Sequence, residues 1–522
     1  MAIPRTPNTA AKPGVNPWLI ALVVSMATFM EVMDTSIANV SLAHIAGNLG
    51  SDQDEATWVL TSYLVSNAIV IPISGWLSSV LGRKRFYMIC VTLFTVSSFL
   101  CGLAPSLGVL LLFRVFQGAG GGGLSPCSQA MLADTFPAAN LGTAFAVYGL
   151  SVVVAPAIGP ALGGWITDNY SWRWIFFLNI PVGLLSLILT HFLIQDSASA
   201  VKATKRERAQ GIRVDYTGFA FTALAFGCLQ VALDKGQEDD WFGSTFICVV
   251  AVLTLIGFVG MIVWETMVVK DPIVDIPLMA NVNLTTSMVL QFVVGFVLNS
   301  TTLLIPQFAQ QLLGYNATEA GLLLMPGGII LIMMMPIAGQ LVRRVQPKYL
   351  MAVGLAIMGA SCYYLAGFDT QLSFKHLAIA RVILCVGFPL FFVPLNTIAY
   401  GNLPPGKTDN ASALMNLMRN LGGGIGISVV TTILTRRAQA HQAYLAATAA
   451  RFYRPFVNHM NALGGFTRKN IVGFYNTLQD QATMLSYLDV FRFLFTMCLI
   501  VIGLVLLLRR VDLSKKSATA GE

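Results

Sequence analysis

Charge is what this chain has least of. Only 11% of its 522 residues are Asp, Glu, Lys or Arg, where a soluble protein carries roughly 25%. That scarcity excludes the string of soluble domains that the length alone would suggest. Disulfide and metal patterns are also missing. The eight cysteines (Cys90, Cys101, Cys127, Cys228, Cys248, Cys362, Cys385 and Cys498) all sit in apolar segments, and none belongs to a Cys-x-x-Cys pair. They read as small apolar residues and say little about redox compartment. His-Glu-x-x-His, Cys/His metal spacings and Gly-x-Ser-x-Gly are absent too, so no metal, cofactor or hydrolase nucleophile is expected. His441 and His459 stand alone and are expected to be solvated.

What the chain has instead is long apolar runs. A membrane span needs about 20 mostly apolar residues, and fourteen candidate stretches meet that length. They predict an all-α membrane protein. The first sixteen residues are polar, and the run after them contains Glu31 and Asp34, so it is expected to be an uncleaved anchor and not a signal peptide. The net charge of +8 does not point to nucleic acid, because the basic residues fall mostly between apolar runs. With the N-terminus inside, inside segments hold about 19 Lys and Arg and short outside loops about 3. An even number of spans then puts both termini in the cytoplasm. One stretch breaks the charge rule. Residues 435–487, between expected spans at 410–434 and 488–508, form a long outside loop with about six basic residues.

An internal repeat is visible. Gly75-Trp76-Leu77 leads to Gly82-Arg83-Lys84-Arg85, and Gly339-Gln340-Leu341 leads to Arg343-Arg344. Arg114-Val115 has a counterpart in Arg381-Val382. The offsets, 339−75=264 and 381−114=267, nearly agree. Duplicated halves around a midplane site are a transporter signature. The expected organisation is a cytoplasmic N-tail 1–16, a six-helix bundle 17–195 and a segment 196–283 holding a basic cytoplasmic loop and two inserted helices. A second six-helix bundle, 284–508, includes the 435–487 loop, and 509–522 form a cytoplasmic C-tail.

Ionisable residues inside the spans are the functional candidates. Glu31 and Asp34 are three apart and share a helix face. Unpaired carboxylates at mid-membrane are costly, so they read as proton sites, with a structural hydrogen bond as the plainer alternative. Arg114, followed by Gln117 and Gly118, stays charged and needs an anion or water. It can favour proton release from a nearby acid, or merely clamp helices together. Asp34 is thus the expected carrier and Arg114 its tuner. The stretch Ala155-Pro156-Ala157-Ile158-Gly159-Pro160-Ala161-Leu162-Gly163-Gly164 combines close-packing glycines with two prolines, which suits a hinge or seal. The basic loop at Gly82, Arg83 and Lys84 sets topology or acts as a gating latch. Asn416, Arg419 and Met415, with Met418 nearby, are candidate cavity residues, although a Met pair is more often plain packing. The cavity is expected to offer few fixed charges and to take apolar or amphipathic molecules. Gly401-Asn402-Leu403-Pro404-Pro405-Gly406-Lys407-Thr408 formally matches a phosphate-binding loop. It follows a membrane span, and its prolines lack N–H donors, so nucleotide binding is rejected.

Several of these stretches resemble one family. Met33-Asp34-Thr35-Ser36-Ile37-Ala38-Asn39-Val40 is similar to a first-helix motif, and Arg114-Val115-Phe116-Gln117-Gly118 to a fourth-helix motif. Ala155 to Gly164 resembles the fifth-helix antiporter motif, and Ser171-Trp172-Arg173-Trp174 through Asn179 and Pro181 the start of helix 6. The family they resemble is the major facilitator superfamily, and within it the fourteen-helix drug:proton antiporters of EmrB/QacA type. The resemblance implies a major facilitator fold of two six-helix bundles plus two inserted helices. It also implies proton-coupled multidrug efflux by alternating access across a bacterial inner membrane, with protons as the coupling ion. Asn39 would join the cavity set, and Gly75 the gating loop. The likeness to the EmrB branch adds a periplasmic adaptor and an outer-membrane channel as partners, which the 435–487 loop, rich in aromatic and basic residues, would engage; Arg437 to Arg451, rich in Ala and Gln, could extend span 13 as a helix, and the plainer alternative is an amphipathic segment lying on the outer leaflet. Ser79 stands where the family's helix 2–3 motif carries Asp, so the usual charge latch is not expected there. Glu31 stands where EmrB-like chains often have Gln. An exporter of a natural metabolite such as a fatty acid or siderophore would use the same machinery. A membrane-embedded enzyme would need a reactive constellation at a membrane face, and a receptor would not need carboxylates at mid-membrane.

Overall fold

The structure is a computed structural model that describes residues 15–196, 201–202, 204–205, 215–269, 276–367, 373–401, 403, 407–451, 453–462 and 464–506. Most of the N-tail, the C-tail, most of the basic 202–213 stretch and most of the Gly401–Gly406 motif lie outside the described residues. Among the described residues, fourteen helices are long and apolar enough to cross a membrane. We number their main segments α1 (Pro17–Val40), α2 (Gln53–Leu81), α3 (Arg83–Gly102), α4 (Leu107–Thr135), α5 (Ala138–Asn169), α6 (Asn179–Leu193), α7 (Tyr216–Lys235), α8 (Thr245–Val263), α9 (Val282–Leu313), α10 (Met325–Leu341), α11 (Pro347–Leu365), α12 (Phe374–Gly401), α13 (Thr408–Arg451) and α14 (Arg468–Leu506). Helices dominate because hydrocarbon offers the backbone no hydrogen-bond partner.

The sequence marks many helix ends. The Asn16 side chain accepts from the Trp18 N–H ahead of α1, Asp215 caps α7, and Asn281 accepts from the N–H groups of Asn283 and Leu284 at the start of α9. Gly82, at φ +93°, turns the chain between α2 and α3. That left-handed conformation admits glycine at no steric cost.

The packing has a twofold pattern. α2 packs on α4, α1 on α5, α3 on α4 and α3 on α6. Eight helices later the same contacts recur as α10 on α12, α9 on α13, α11 on α12 and α11 on α14. Contacts across the middle are paired as well: α2 meets α13 where α10 meets α5, and α4 meets α13 where α12 meets α5. The pair α7–α8 stands outside this pattern. It leans on α2, and α7 also touches α13. Burial follows position. Only 28% of the α8 span is buried, against 78% for α12, so α8 faces lipid and α12 is central.

The 435–487 segment is more helical than expected, although the helical extension from Arg437 to Arg451 is as the composition suggested. α13 does not stop near residue 434 but runs to Arg451, and α14 begins at Arg468 and not near 488. With the short helix Tyr453–Ala462 they make a helical hairpin. The physical reason is composition: from Arg436 to Arg451 the chain is rich in Ala, Gln and Arg, with no Gly or Pro to stop a helix. Gly464 and Gly465, both at positive φ, turn the tip, and Phe456 packs on Phe466 and Phe474 at ring distances of 5.8 and 4.7 Å. His441 is not simply solvated: its Nε2 lies 2.9 Å from Asp489 Oδ2, which ties α13 to α14. The side chain of His459 is outside the described set.

Candidate functional site

α1 presents Glu31 and Asp34 to the interior. Asp34 is buried, and three side chains from two other helices converge on it. Arg114 Nη1 donates to Oδ2 at 2.6 Å, Gln117 Nε2 to Oδ1 at 2.9 Å, and Asn179 Nδ2 to Oδ1 at 2.7 Å. Arg114 is fully buried and also donates to the Val59 carbonyl at 3.0 Å and to Gln117 Oε1 at 2.9 Å. The Tyr63 ring lies 4.4 Å from its guanidinium carbon. A buried pair of this kind costs about 3–5 kcal/mol to break from one side, because the partner charge is left uncompensated. Gly118 makes the arrangement possible, since a Cβ there would overlap the Tyr63 carbonyl oxygen on α2.

Glu31 is held differently. It accepts from Ser125 Oγ at 2.9 Å and from Asn67 Nδ2 at 3.4 Å, and both donors are neutral. Two carboxylates one turn apart therefore sit in different settings, one ion-paired and one not. Glu31 also lines a cavity of about 580 Å³ between the helices, whereas Asp34 does not.

Of the residues chosen from sequence, Glu31, Asn39, Arg114, Pro156 and Arg419 line this cavity. Gln117 and Gly118 lie behind the wall with Asp34. Gly159 and Gly163 pack on α1, where added Cβ atoms would come within 2.6 Å of Ser36 Oγ and 2.8 Å of Ile37 Cγ2. Pro160 sits near Gly321, and Gly164 is buried. Met415 is buried off the cavity. Asn416 exchanges hydrogen bonds with Gln129 of α4, donating at 2.9 Å and accepting at 3.3 Å, and Gln129 accepts from Tyr400 at 2.7 Å. The expectation of few fixed charges is not met. Asp234 and Glu238 from the α7 end, Arg381 from α12 and Arg419 from α13 share the lining with Glu31 and Arg114. Glu31, Arg114, Arg381 and Arg419 were each visible in the sequence, but that they and the two α7 acids meet around one cavity follows only from the fold.

At the other end of the bundle the two sets of six helices are closed on each other. Arg83 donates through Nε and Nη2 to the two Asp409 oxygens, both at 2.7 Å, and through Nη1 to Asp134 Oδ2 at 2.9 Å. Ser78 adds a bond to Asp409 at 2.8 Å. Among the described residues Ser79 bonds only its own helix, at the Trp76 carbonyl, so no local acid acts here, as expected from the sequence. The charge latch exists nonetheless, built from two carboxylates that sequence reading missed. Gly75 lets α13 approach, with Asn410 Cα 3.0 Å from the position a Cβ would take, and Gly339 does the same for Thr143 of α5 at 2.9 Å. Lys84 donates through its backbone N–H to Asp196 at 2.7 Å and through Nζ to the His191 carbonyl at 2.8 Å. Asn67, Ser125 and Asn179 were also missed as partners. Asn67 and Ser125 gave no signal beyond a polar residue inside an apolar run, and Asn179 stood out only within the helix 6 likeness.

The Major Facilitator Superfamily profile matches residues 24–427. The multidrug export protein EmrB of Haemophilus influenzae is 36% identical over 451 residues, 85% of this chain and 86% of its own. EmrB of Escherichia coli K12 is 35% identical over 493 residues, 93% of this chain and 94% of its own. The fatty acid resistance protein FarB of Neisseria gonorrhoeae is 35% identical over 427 residues, 82% of each chain. Among solved structures, a double-tryptophan mutant of XylE aligns with a TM-score of 0.61 at 15% identity, covering 97% of this chain and 99% of that one. That likeness concerns the fold alone.

Proposed function

The chain belongs to the major facilitator superfamily, a family of transporters and not of enzymes, and from that premise we propose that it is a proton-coupled multidrug exporter of hydrophobic or amphipathic compounds. The single observation that carries this reading is the Asp34–Arg114–Gln117–Asn179 cluster directly behind a ligand-sized cavity. Asp34 carries the proton. Glu31, on the cavity wall three residues earlier, receives it from solvent. Protonating Asp34 removes the charge that holds Arg114, so proton binding and helix rearrangement are linked. The orientation that supports this places both termini in the cytoplasm of a bacterial inner membrane, the Arg83 latch on the cytoplasmic side and the cavity toward the outside. The bundles α1–α6 and α9–α14 rock about the cavity as two units. Proton entry down a 100 mV potential supplies about 2.3 kcal/mol per charge.

The helical hairpin supports a role as the inner-membrane part of a tripartite pump. Its aromatic tip and its Arg residues have the composition of a protein interface, and a periplasmic adaptor, with an outer-membrane channel beyond it, is the partner we assign. The relative named for fatty acid resistance favours a second reading, export of a natural metabolite such as a fatty acid. Efflux from proteoliposomes with and without an uncoupler tests the coupling. Export that is unaffected by the uncoupler defeats it. Replacing 435–487 by a short Gly/Ser linker should abolish adaptor co-purification, and adaptor capture by that variant would place the docking surface elsewhere.

A further inference from the structure

The two sets of six helices are joined by more than the Arg83 latch. Thr408, Ser412, Asn416 and Asn420 are spaced four apart on α13, so they form one stripe along it. Each bonds the first set. Thr408 Oγ1 donates to Asp134 Oδ1 at 3.2 Å, Ser412 Oγ to the Pro126 carbonyl at 2.7 Å, and Asn416 exchanges bonds with Gln129. Asn420 Nδ2 donates to Asn67 Oδ1 on α2 at 3.2 Å. The stripe is a polar seam about 18 Å long. It starts beside Asp409 of the latch and ends at the cavity, which Asn67 and Asn420 both line.

The last rung of the seam reaches Glu31. The Asn67 amide that accepts from Asn420 donates through Nδ2 to Glu31 Oε1 at 3.4 Å, and Ser125 Oγ donates to Oε2 at 2.9 Å. An ionised carboxylate can only accept, so it holds the amide with its N–H side toward Glu31 and its carbonyl toward α13. Hydrogen bonds to an ionised acceptor are roughly twice as strong as neutral ones, and an amide that donates strongly accepts better at its other end. Ionised Glu31 therefore tightens the Asn67–Asn420 rung, and neutral Glu31 loosens it. Other charged or titratable groups face Glu31: Asp34 on its own helix, Tyr63 on α2, Cys90 on α3, Arg114 on α4 and Arg419 on α13. Asp234 and Glu238 of the α7 end and Arg381 of α12 line the same cavity. Among the described residues none of these bonds Glu31.

We propose that Asn67 and Asn420 are positioning residues that couple the protonation of Glu31 to the closure of the two bundles. This rests on the reading of the latch end as the cytoplasmic gate of a proton-coupled exporter, and it adds how a proton in the cavity releases that gate. The sign follows from the geometry. A proton arriving from outside meets Glu31 while the seam is closed. Neutral Glu31 weakens the rung nearest the cavity, and opening spreads along the stripe toward Asp409. Loss of the proton restores the rung.

A cysteine placed at Asn410, beside the latch, reports opening of that end. The chain without it gives the background, and the unfolded chain corrects for thiol ionisation at each pH. In nanodiscs without substrate or gradient, its labelling rate should rise about threefold or more from about pH 8 to about pH 5.5, the scale of one weakened hydrogen bond. Glu31→Gln should label at the fast rate at both pH values, and so should Asn420→Ala. The double variant should label no faster than either single one, because both break the same chain of bonds. Asn420→Gln keeps an amide donor and should retain part of the pH response. Asp34→Asn removes the neighbouring carboxylate and should leave a response that Glu31→Gln then abolishes. A pH response that survives Glu31→Gln or Asn420→Ala in folded protein, or additive effects of the two, overturns the proposal. Labelling needs no transport, so it is decided separately from export. If efflux is uphill and sensitive to an uncoupler while labelling ignores pH, the coupling through Asn67 and Asn420 is wrong and the export reading stands. If labelling behaves as described and no efflux occurs, the coupling stands and the export reading falls.

Discussion

Arg114 and Arg381 occupy matching places in the two sets of six helices, and they are treated oppositely. Arg114 is bound to Asp34 at 2.6 Å and backed by Gln117, with Asn179 completing the cluster around Asp34. Arg381 has a threonine hydroxyl at 3.2 Å. The contrast repeats at the closed end. Arg83 holds two carboxylates, while Arg343, after the matching Gly339, bonds the neutral Asn140 and Thr143 at 2.8 and 3.1 Å and is exposed. Both halves carry these arginines, but only those of the first half are ion-paired, and one of the paired acids, Asp409, comes from the second half. An internal acid makes an arginine part of a proton-sensitive joint.

The largest effect is expected where the paired half is broken. Asp34→Asn should abolish pH-driven efflux, by about 100-fold or more on the scale of a lost essential group, with the protein still inserted. Uphill export at the normal rate in proteoliposomes would rule out Asp34 as carrier. Next comes the partner. Arg114→Ala should cost about 10-fold or more in transport rate, and Arg114→Lys less, because it keeps the charge and loses only the fork. If both variants transport normally across pH 6–8, the arginine is only packing.

The halves agree in one respect, which sharpens the comparison. Gly159 and Gly163 let α5 lie against α1, and Gly422 and Gly426 let α13 lie against α9. The offsets match, 422−159=263 and 426−163=263. Gly159→Leu meets a serine side chain, while Gly422→Leu meets the Phe292 backbone carbonyl, which cannot rotate away. Both should impair transport, and Gly422→Leu should lower thermal stability more, by about 1–3 kcal/mol of overpacking. Equal melting temperatures for the two would contradict that. The closed end sets a buried pair against the smallest effect expected. Arg83→Ala leaves Asp409 buried without its cation and should shift the population toward opening at that end, measurable as increased labelling of a cysteine placed at Asn410. Arg343→Ala removes only exposed bonds to neutral groups and should change labelling by less than about 1 kcal/mol equivalent. If Arg343→Ala opens the bundle as far as Arg83→Ala, the asymmetry is not energetic.

The spans were legible because hydrocarbon forces one answer on a long apolar run. The Asp34, Arg114 and Gln117 group was legible because charge inside such a run demands an explanation. Asp409 was not, since it lies 326 residues from Arg83 and only the fold joins them. Neither was the meeting of charges around one cavity, which gathers residues from α1, α4, α7, α12 and α13. The hairpin was half legible: helix-forming composition was visible, but a rule built on hydropathy stops a span where apolarity ends, whereas the backbone continues.

That continuation has a mechanical consequence. α13 has 44 residues, so at 1.5 Å per residue it is about 66 Å long, more than twice the roughly 30 Å of hydrocarbon it crosses. Near one end it carries Asp409 of the latch, further along Arg419 of the cavity, and beyond the bilayer it forms one leg of the hairpin. Such a rod is a lever arm. With about 35 Å projecting past the membrane rim, a swing of about 10° in the bundle carries the hairpin tip sideways by about 6 Å. The opposite end of the same rod strains the salt bridge to Arg83. A force applied at the tip, by anything that grips it, is delivered as torque to the latch some 60 Å away.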